Sequence, residues 1–223
     1  SLSGSSGAAG ALYVADTNNK KIRLIDLDLL TVSTVLGSGT ATQVDGTGTA
    51  ATFFYPIGVS IAAGQLYVAD YAKVRVADLS TTVVTTLAGN SVRGFTDGTG
   101  AAAAFKMIAD VAADATGTNL YVTDAFNNAI RKIVIASGAV TTVSGLPHTA
   151  DGTGSLARFY YPYDIATTST GNLWVANYGD NNIRQVTPAG NVTTIVGTDA
   201  TTNGTLTDGP AATAGFAALT AIA

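Results

Sequence analysis

The stretch Leu120-Tyr121-Val122-Thr123-Asp124 decides the fold, because three other parts of the chain repeat it in the same order of residue types. The four copies start at Leu12, Leu66, Leu120 and Leu173, so the period is 53 or 54 residues. A fixed period of this length is typical of repeat proteins, in which each repeat is one supersecondary unit. The four copies are therefore expected to fold alike.

Four further landmarks follow each copy and recur in register. A residue pair ending in Arg comes first, then a run of Thr and Val ending in Gly, then an Asp-Gly turn, and finally a Phe. The arginines are Arg23, Arg75, Arg131 and Arg184, the turn aspartates are Asp45, Asp97, Asp151 and Asp208, and the phenylalanines are Phe53, Phe105, Phe159 and Phe216. Five landmarks repeated four times in the same order indicate one structural unit that is used four times.

Each repeat contains four strand-like pieces, which in the second repeat span about residues 57–62, 65–70, 74–79 and 83–87. They are rich in β-branched and aromatic residues, and Gly, Asp, Asn or Ser bounds them. No stretch shows a sustained helical period of apolar residues. A four-stranded antiparallel unit at a constant period predicts an all-β chain with the fold of a β-propeller, in which each blade buries its apolar faces against its neighbours.

The composition excludes several classes of protein. The chain has 223 residues, a net charge of −4 and no cysteine, and only 12% of its residues are charged. Disulfides, thiolate nucleophiles and cysteine-ligated metals are thus excluded, and no basic stripe is present that could bind nucleic-acid phosphates. No apolar run reaches the roughly 18 residues of a membrane-spanning helix.

The repeat resembles that of NHL-repeat β-propellers over almost the whole chain. The resemblance rests on the pattern Leu-Tyr-Val-Ala-Asp-x-x-Asn-x-x-Ile-Arg, then Val-Thr-Thr-Val-x-Gly, then Asp-Gly-x-Gly-x-x-Ala-x-Phe, and residues 120–166 hold its clearest copy. The second repeat departs from it by lacking the Asn pair, and the fourth has Asn177 in place of the Asp and Pro210 after its Asp-Gly. Ile108 stands where the pattern has Pro. The resemblance implies a ring of about six blades.

The two ends of the chain predict a blade that is split between them. Residues 1–10 are rich in Gly, Ser and Ala and are interpreted as a linker, and residues 11–223 as the propeller. The first repeat supplies three strands, and residues 217–223 would supply the fourth. Three interpretations remain open: a piece of a larger propeller, a closed ring of four blades, or a strand that completes a blade in a neighbouring copy.

Residue types that catalyse reactions or hold metals are scarce. The single histidine, His148, lies in a Pro-His loop, whereas a zinc site needs several such ligands. A Ser-His-Asp triad would have to use this same histidine, and no Gly-x-Ser-x-Gly turn is present. Each Asp-Gly loop offers one carboxylate, which is too few for a calcium loop. We therefore expect no catalytic residue, no metal and no cofactor.

The aspartates and arginines that recur are expected to be structural. One aspartate and one arginine flank the same hairpin in three repeats, where they could form a bidentate ion pair. These pairs are Asp16/Arg23, Asp70/Arg75 and Asp124/Arg131. The turn aspartates of the Asp-Gly-Thr-Gly loops are expected to accept hydrogen bonds from nearby backbone N–H groups, while Gly takes the positive φ that the turn requires. A catalytic constellation would break the symmetry of the repeat, and these residues follow it.

Aromatic residues are the candidates for a binding face. Tyr71, Phe126 and Tyr178 follow the Leu-Tyr-Val-Ala-Asp element in successive repeats, so the repeat places them on one face. Such residues suit contact with a peptide or a glycan. A second group lies at the start of the inner strands, with packing between blades as the alternative role. It consists of Tyr55, Tyr161, Tyr163 and Asp164.

The sequence therefore predicts a non-catalytic module that binds a protein or a glycan, or is structural, in a larger extracellular or surface assembly. Two N-glycosylation motifs, at Asn191 and Asn203, weakly favour the extracellular setting. One alternative is a lyase or hydrolase acting in the central channel, where Asp110 and Asp164 would have to converge with raised pKa values. Another is a self-assembling filament or oligomer subunit. The fold alone cannot choose among them.

Overall fold

The computed structural model describes residues 10–145, 150–197, 207–211 and 213–222. His148 and Asn203 lie outside this part of the chain, as does all but the last residue of the expected linker. The strands are β1 (Ala11–Asp16), β2 (Lys21–Asp26), β3 (Thr31–Leu36), β4 (Gly46–Thr47), β5 (Pro56–Ala62), β6 (Gln65–Asp70), β7 (Lys73–Asp78), β8 (Val83–Ala88), β9 (Gly98–Thr99), β10 (Ile108–Ala113), β11 (Asn119–Asp124), β12 (Ala129–Val134), β13 (Ala139–Ser144), β14 (Gly152–Thr153), β15 (Pro162–Thr167), β16 (Leu173–Asn177), β17 (Asn182–Val186) and β18 (Asn191–Val196). Single 3-10 turns lie at Thr17–Asn19, Gly48–Ala50, Gly100–Ala102, Ala125–Asn127, Gly154–Leu156 and Tyr178–Asp180.

These strands form four antiparallel sheets, numbered here in chain order. The first sheet is β1-β2-β3, and the second has the order β5-β6-β7-β8-β4. The third is β10-β11-β12-β13-β9, and the fourth is β15-β16-β17-β18-β14. Four consecutive strands of each complete sheet follow one another through short hairpins, as the repeat predicts. The all-β class built from four-stranded antiparallel units is thereby confirmed.

Alternate residues of one strand face two different neighbouring sheets, because successive side chains of a strand point to opposite faces. In β6, Leu66 and Val68 pack in the cluster that includes Ile22 of the first sheet. Tyr67 and Ala69 of the same strand pack in the cluster shared with the third sheet. Each sheet therefore hides its apolar faces only between neighbours, which explains why the repeats occur in series.

Each core between two sheets contains one of the repeated phenylalanines. These are Phe53, Phe105 and Phe159, and none of the three is exposed. Removing such a ring from water contributes about 2–3 kcal/mol. The landmark Phe is thus the residue that anchors the connection from one sheet in the core of the next.

The connection that carries the Asp-Gly turn forms an additional strand, which the sequence did not predict. The two-residue strands β4, β9 and β14 pair with the outer strand of the following sheet, for example Gly46 opposite Val84. The second Gly of each turn takes the positive φ, with values of 56°, 56° and 57° at Gly48, Gly100 and Gly154. The first Gly of the turn, for example Gly46, is part of the extended strand.

The C-terminal segment lies beside the fourth sheet. The backbone N–H of Ile222 donates to Asp164 Oδ2 at 2.6 Å, and this contact repeats that of Ile165 with Asp110 at 3.2 Å. Among the described residues, no strand pairs with the free edge of β1. The blade that was expected to be split between the ends is therefore not formed there. Ala218 and Ile222 instead donate hydrogen bonds to Asn181 and Asp164, beside the fourth sheet, and the blade count stays a prediction.

Candidate functional site

The starts of the inner strands and the hairpins that follow the second strands lie at the same end of the sheets. Antiparallel pairing sets Pro56 opposite Asp70 in the second sheet and Ile108 opposite Asp124 in the third. The two groups of aromatic residues that the sequence singles out lie in or beside these two segments. We call their common surface the aromatic face, which consists of Phe54, Tyr55, Tyr71, Phe126, Tyr160, Tyr161, Tyr163 and Tyr178.

A tight turn with one left-handed residue closes each of these hairpins. This residue is Lys20, Asn128 or Asn181 in three of the sheets, with φ of 57°, 54° and 51°. In the second sheet, which lacks the Asn pair, it is Tyr71 with φ of 60°. The left-handed region costs a residue with a large side chain about 1 kcal/mol, whereas Asn tolerates it well. The surrounding ring contacts offset this cost at Tyr71.

The rings of the aromatic face contact one another within the second sheet and between the third and fourth sheets. The centroid of the Tyr71 ring lies 5.0 Å from that of Phe54, and the centroid of Phe126 lies 5.1 Å from that of Tyr161. Tyr161 also contacts Tyr160 at 5.8 Å, with the ring planes at 88°. Offset and edge-to-face pairs of this kind contribute about 1 kcal/mol each beyond their burial. The rings are thus held in place by one another.

An arginine that sequence analysis missed joins two parts of this series. The guanidinium carbon of Arg93 lies 5.7 Å from the centroid of the Tyr71 ring and 5.7 Å from that of Phe126. Its Nε donates to the carbonyl oxygen of Lys106 at 3.2 Å. A departure from the repeat could have revealed it, since Ala41 stands at the same distance after the strand-ending Gly in the first repeat.

The remaining predicted binding residues form smaller groups. Tyr163 contacts Tyr178 with 6.0 Å between ring centroids, and Lys20 Nζ lies 5.5 Å from the centroid of Tyr55. Burial raises the pKa of Tyr163, and Tyr55, Asp164 and Tyr178 raise it further. The structure therefore brings Tyr71, Phe126 and Tyr161 into one series and places Tyr163 and Tyr178 together. Phe54, Tyr160 and Lys20 belong to the same surface and were not predicted.

A cavity of about 570 Å³ opens at the end of the series. It is lined by Tyr160, Tyr161, Tyr178, Gly179, Asn181, Ala217 and Ala218. Its volume lies within the range of small-molecule binding sites. The cavity therefore provides the aromatic face with a concave part of the size of a small organic ligand.

Asp164 lies beneath the face and forms a pair with Asp110. The two residues are only 7% and 4% exposed, and their carboxyl groups lie close together. Burial, followed by the neighbouring carboxyl group and negative charge of Asp164, raises the pKa of Asp110 well above its ordinary value. Retention of a proton on Asp110 is the physical consequence, because two carboxylates in contact cannot both ionise readily.

This pair meets the geometric requirement of the enzyme alternative, and one oxygen of each carboxyl group has a structural partner, whereas Asp110 Oδ1 is buried without one among the described residues. Asp110 Oδ2 accepts the N–H of Ile165, and Asp164 Oδ2 accepts the N–H of Ile222. In the second sheet Gly58 occupies the equivalent position, and a Cβ there would overlap Asp110 Oδ1. The carboxyl groups thus connect successive inner strands, and Gly58 leaves room for the first of them.

The repeated arginines are buried where two repeats meet. Arg131 Nη1 donates to Asp124 Oδ2 at 2.9 Å, and its Nη2 donates to Asp97 Oδ1 at 2.7 Å. The guanidinium carbon lies 5.1 Å from the centroid of the Phe105 ring. The sequence predicted the pair of Asp124 with Arg131, but not the contact of Arg131 with Asp97, the turn aspartate of the preceding repeat.

The same junction occurs in the second and fourth sheets. Arg75 contacts Asp45 at 2.8 Å and Asp70 at 3.4 Å, and Arg184 contacts Asp151 at 2.7 Å. In the first sheet Arg23 lies 4.0 Å from Asp16, and both side chains are about a third exposed. Asp208, the turn aspartate that follows the fourth sheet, is exposed. The contact of the arginine with the turn aspartate thus forms wherever two described repeats meet, whereas the fourth sheet has Asn177 in place of the second carboxylate.

Among the described residues, three turn aspartates, Asp45, Asp97 and Asp151, bind the outer strand of the following sheet, and not the nearby backbone N–H groups that the sequence predicted. Asp97 accepts hydrogen bonds from Thr142 N at 3.1 Å and from Thr142 Oγ1 at 3.0 Å. Burial opposes ionisation of Asp97, but the bonds from Arg131 and Thr142 outweigh it and lower its pKa. Burial is the largest influence on Asp124 and raises its pKa, against the bonds from Asn127, Lys106 and Arg131.

Of the two predicted glycosylation sites, Asn191 lies in the described part of the chain. Asn191 is exposed at the start of β18, where its Oδ1 accepts a bond from Thr153 Oγ1 at 2.6 Å. Among the described residues, no group of three or more His, Asp or Glu side chains could hold a metal ion. In the same residues, no helix has the length and apolarity needed to cross a membrane.

No protein-family model matches the chain, and no curated protein matches its sequence. Solved structures match its fold. A Bacteroides thetaiotaomicron protein of unknown function aligns with 96% of this chain over 61% of its own length, at 16% identity and a TM-score of 0.62. Virginiamycin B lyase from Staphylococcus aureus aligns with 90% of this chain over 56% of its length, at 15% identity and a TM-score of 0.60.

An auxiliary nutrient binding protein from Bacteroides ovatus also aligns, with 84% of this chain over 54% of its length, at 15% identity and a TM-score of 0.55. The chain therefore spans little more than half the length of these structures. Sequence identity at this level shows the fold alone, which is that of a β-propeller-like protein. The expected architecture is confirmed in this respect.

Proposed function

We propose that this chain is a non-catalytic binding module of NHL-like type that engages a protein or a glycan through its aromatic face. The observation that carries the proposal is the series of contacting rings, joined by Arg93, that runs across the second, third and fourth sheets. The repeated residues have packing roles that the propeller itself explains. The aromatic face does not follow the repeat strictly, so packing roles within the propeller do not explain its residues.

The rings of this face combine exposure with fixed positions. Phe54, Tyr160 and Tyr178 are 40–48% exposed although each contacts another ring. Aromatic groups of this kind are enriched at binding hot spots, and a surface that is already ordered loses little entropy when a partner binds. The face is therefore suited to recognition more than to stability.

The setting that we propose is extracellular or on the cell surface, as part of a larger assembly. With 12% charged residues, the chain depends on hydroxyl groups for much of its solubility, and the exposed motif at Asn191 would allow a glycan to add to it. The similarity to an auxiliary nutrient binding protein agrees with a binding role.

The proposal is tested by screening the protein on an oligosaccharide array and a peptide array. Phe126→Ala and Tyr178→Ala should each lower binding of any retained probe at least about tenfold, since hot-spot aromatics contribute at this scale. Leu29→Ala is the matched control, because Leu29 is a 72% exposed apolar residue in the β2–β3 turn, at the opposite end of the sheets. Equal binding by all three variants, or no retained probe on either array, contradicts the proposal.

A further inference from the structure

Arg93 has unused hydrogen-bond donors. Its Nε is bound to the Lys106 carbonyl, and within the described residues the four N–H groups on its two Nη atoms have no acceptor. Arg131 shows the opposite pattern, because its Nη atoms donate to two carboxylates and two carbonyl groups while its Nε has no partner. The Nη donors of the buried Arg131 are thus all used by the protein, and those of the exposed Arg93 are not.

The guanidinium of Arg93 is nevertheless held in one place. Rings of two different sheets, Tyr71 and Phe126, lie against it, and the bond to Lys106 fixes its Nε side. A planar guanidinium fixed in this way presents its remaining N–H groups as a fork, which matches the geometry of a carboxylate or sulfate. The entropy cost of ordering the side chain is therefore met before any ligand arrives.

No carboxylate of the protein neutralises this cation. Among the described residues, neither Arg93 nor the exposed Lys106 forms an ion pair. Asp97 and Asp124, the acidic groups of the adjoining connection and strand, are both bound to Arg131. A chain with a net charge of −4 thus carries a local positive site on its aromatic face. An anionic group is the complementary ligand.

The surface that continues from Arg93 favours a carbohydrate over a peptide as the carrier of that anion. Phe126 contacts Tyr161, which lines the cavity of about 570 Å³ together with Tyr160 and Tyr178. Tyrosine rings offer flat apolar faces and hydroxyl groups, and a pyranose ring has the same combination. Asn181 and small residues complete the lining. It offers no aliphatic pocket of the kind that anchors a peptide side chain.

We infer that Arg93, held between Tyr71 and Phe126, binds the carboxylate or sulfate of an acidic glycan whose sugar rings extend toward the tyrosine-lined cavity. This inference rests on the proposed binding function and names the ligand class of the same face. Carboxylate and sulfate are both oxyanions, one planar and one tetrahedral, and either can accept hydrogen bonds from two N–H groups of the Arg93 guanidinium.

The test measures binding by calorimetry to oligogalacturonate, to oligoalginate and to a heparin tetrasaccharide, with methyl-esterified oligogalacturonate as the neutral match. At least one acidic probe should bind and should weaken as salt is added. Arg93→Gln should lower its affinity at least about tenfold, and Arg93→Lys should restore it only in part, because lysine lacks the fork. Lys132→Gln removes the same charge from the middle of β12 and should leave binding unchanged.

The outcomes separate this inference from the proposed function. Equal binding of the neutral ester, or unchanged affinity in Arg93→Gln, overturns the inference but leaves the binding function standing if Phe126→Ala still abolishes binding. Binding of acidic peptides alone, dependent on Arg93, also overturns it in favour of a protein partner. If no acidic probe binds, the inference is wrong. A thermal melt of each variant, unchanged within about 2 °C, ensures that loss of binding is not loss of fold.

Discussion

Truncating one turn aspartate should weaken the junction between two blades by an amount that the structure lets us estimate. Asp97→Ala removes the bond from Arg131 Nη2 at 2.7 Å and those from Thr142 N and Oγ1 at 3.1 and 3.0 Å. A bond to a charged group contributes about 1.5–3 kcal/mol and a neutral one about 1 kcal/mol. Because the Asp97 side chain is 50% exposed, water replaces part of this loss.

We therefore expect the free energy of unfolding to fall by about 2 kcal/mol, which for a chain of this length lowers Tm by about 4–8 °C. The effect should stay below the roughly 3–5 kcal/mol of breaking a fully buried pair, because Arg131 keeps Asp124 as a partner. The assay is urea unfolding followed by far-ultraviolet circular dichroism, with the urea dependence of the free energy unchanged between variants.

Matched variants decide whether this reasoning holds. Asp45→Ala should reproduce the loss, because its side chain is 51% exposed and contacts Arg75 at 2.8 Å, while Arg75 keeps Asp70 as a partner. Asp151→Ala should cost more, because among the described residues its 2.7 Å contact is the single ion pair of the buried Arg184. Asp208→Ala changes the same position of the repeat, where the described residues supply no arginine, and should stay within about 0.5 kcal/mol of the parent protein. An Asp97→Ala protein as stable as Asp208→Ala would refute the account of the junction.

Three further predictions concern the core and the inner strands. The raised pKa of Asp110 means that the folded state keeps a proton which the unfolded chain loses above about pH 4, so stability falls as pH rises from there to the raised pKa. Asp110→Asn should therefore raise the urea midpoint at pH 7 and lose this advantage near pH 4. If the urea midpoints of the variant and the parent protein changed in parallel with pH, Asp110 would not hold the extra proton. Gly58→Ala should lower the free energy of unfolding by more than about 2 kcal/mol, because its Cβ would lie 2.7 Å from the Cα of Asp110. Gly64→Ala meets open space and should lower it by only about 1 kcal/mol, because of the positive φ at this position. Similar urea midpoints for the two variants would contradict this expectation. Phe105→Ala should lower the stability by about 3–5 kcal/mol, because it leaves a cavity in a core. Phe54 is half-exposed, so Phe54→Ala should lower the stability by less than about 1 kcal/mol. Thermal melts of the two variants provide the comparison.

The regular part of the fold could be predicted because its signal is local. The expected strand at residues 65–70 is β6 as the structure has it, since a short apolar run, Leu66 to Ala69, bounded by polar residues, marks its length. The strands β4, β9 and β14 could not be predicted in this way. Each is a Gly-Thr pair whose extended form depends on an outer strand about 40 residues away in the sequence, for example Thr153 opposite Asn191.

The site was predictable to the extent that it follows the repeat. Tyr71 and Phe126 were placed on one face because their repeats align, and the structure joins them through Arg93. Arg93 itself belongs to a connection that has no regular pattern, so only its departure from the repeat marks it. The second carboxylate at Arg131 was missed for a related reason, because Asp97 lies 34 residues before it and in another repeat.

The contrast between Arg131 and Arg93 leads to a separation of roles that experiment can check. Both lie against phenylalanine rings at the junction of the second and third repeats, but one has its Nη donors satisfied by the protein and the other has them free. A change in the saturated network should alter stability and leave binding intact in the molecules that remain folded. A change at Arg93 should alter binding and leave stability intact. If Asp97→Ala impaired binding as strongly as Arg93→Gln at a temperature where both are folded, the repeated network would take part in recognition, and the division between a symmetric scaffold and an asymmetric face would have to be abandoned.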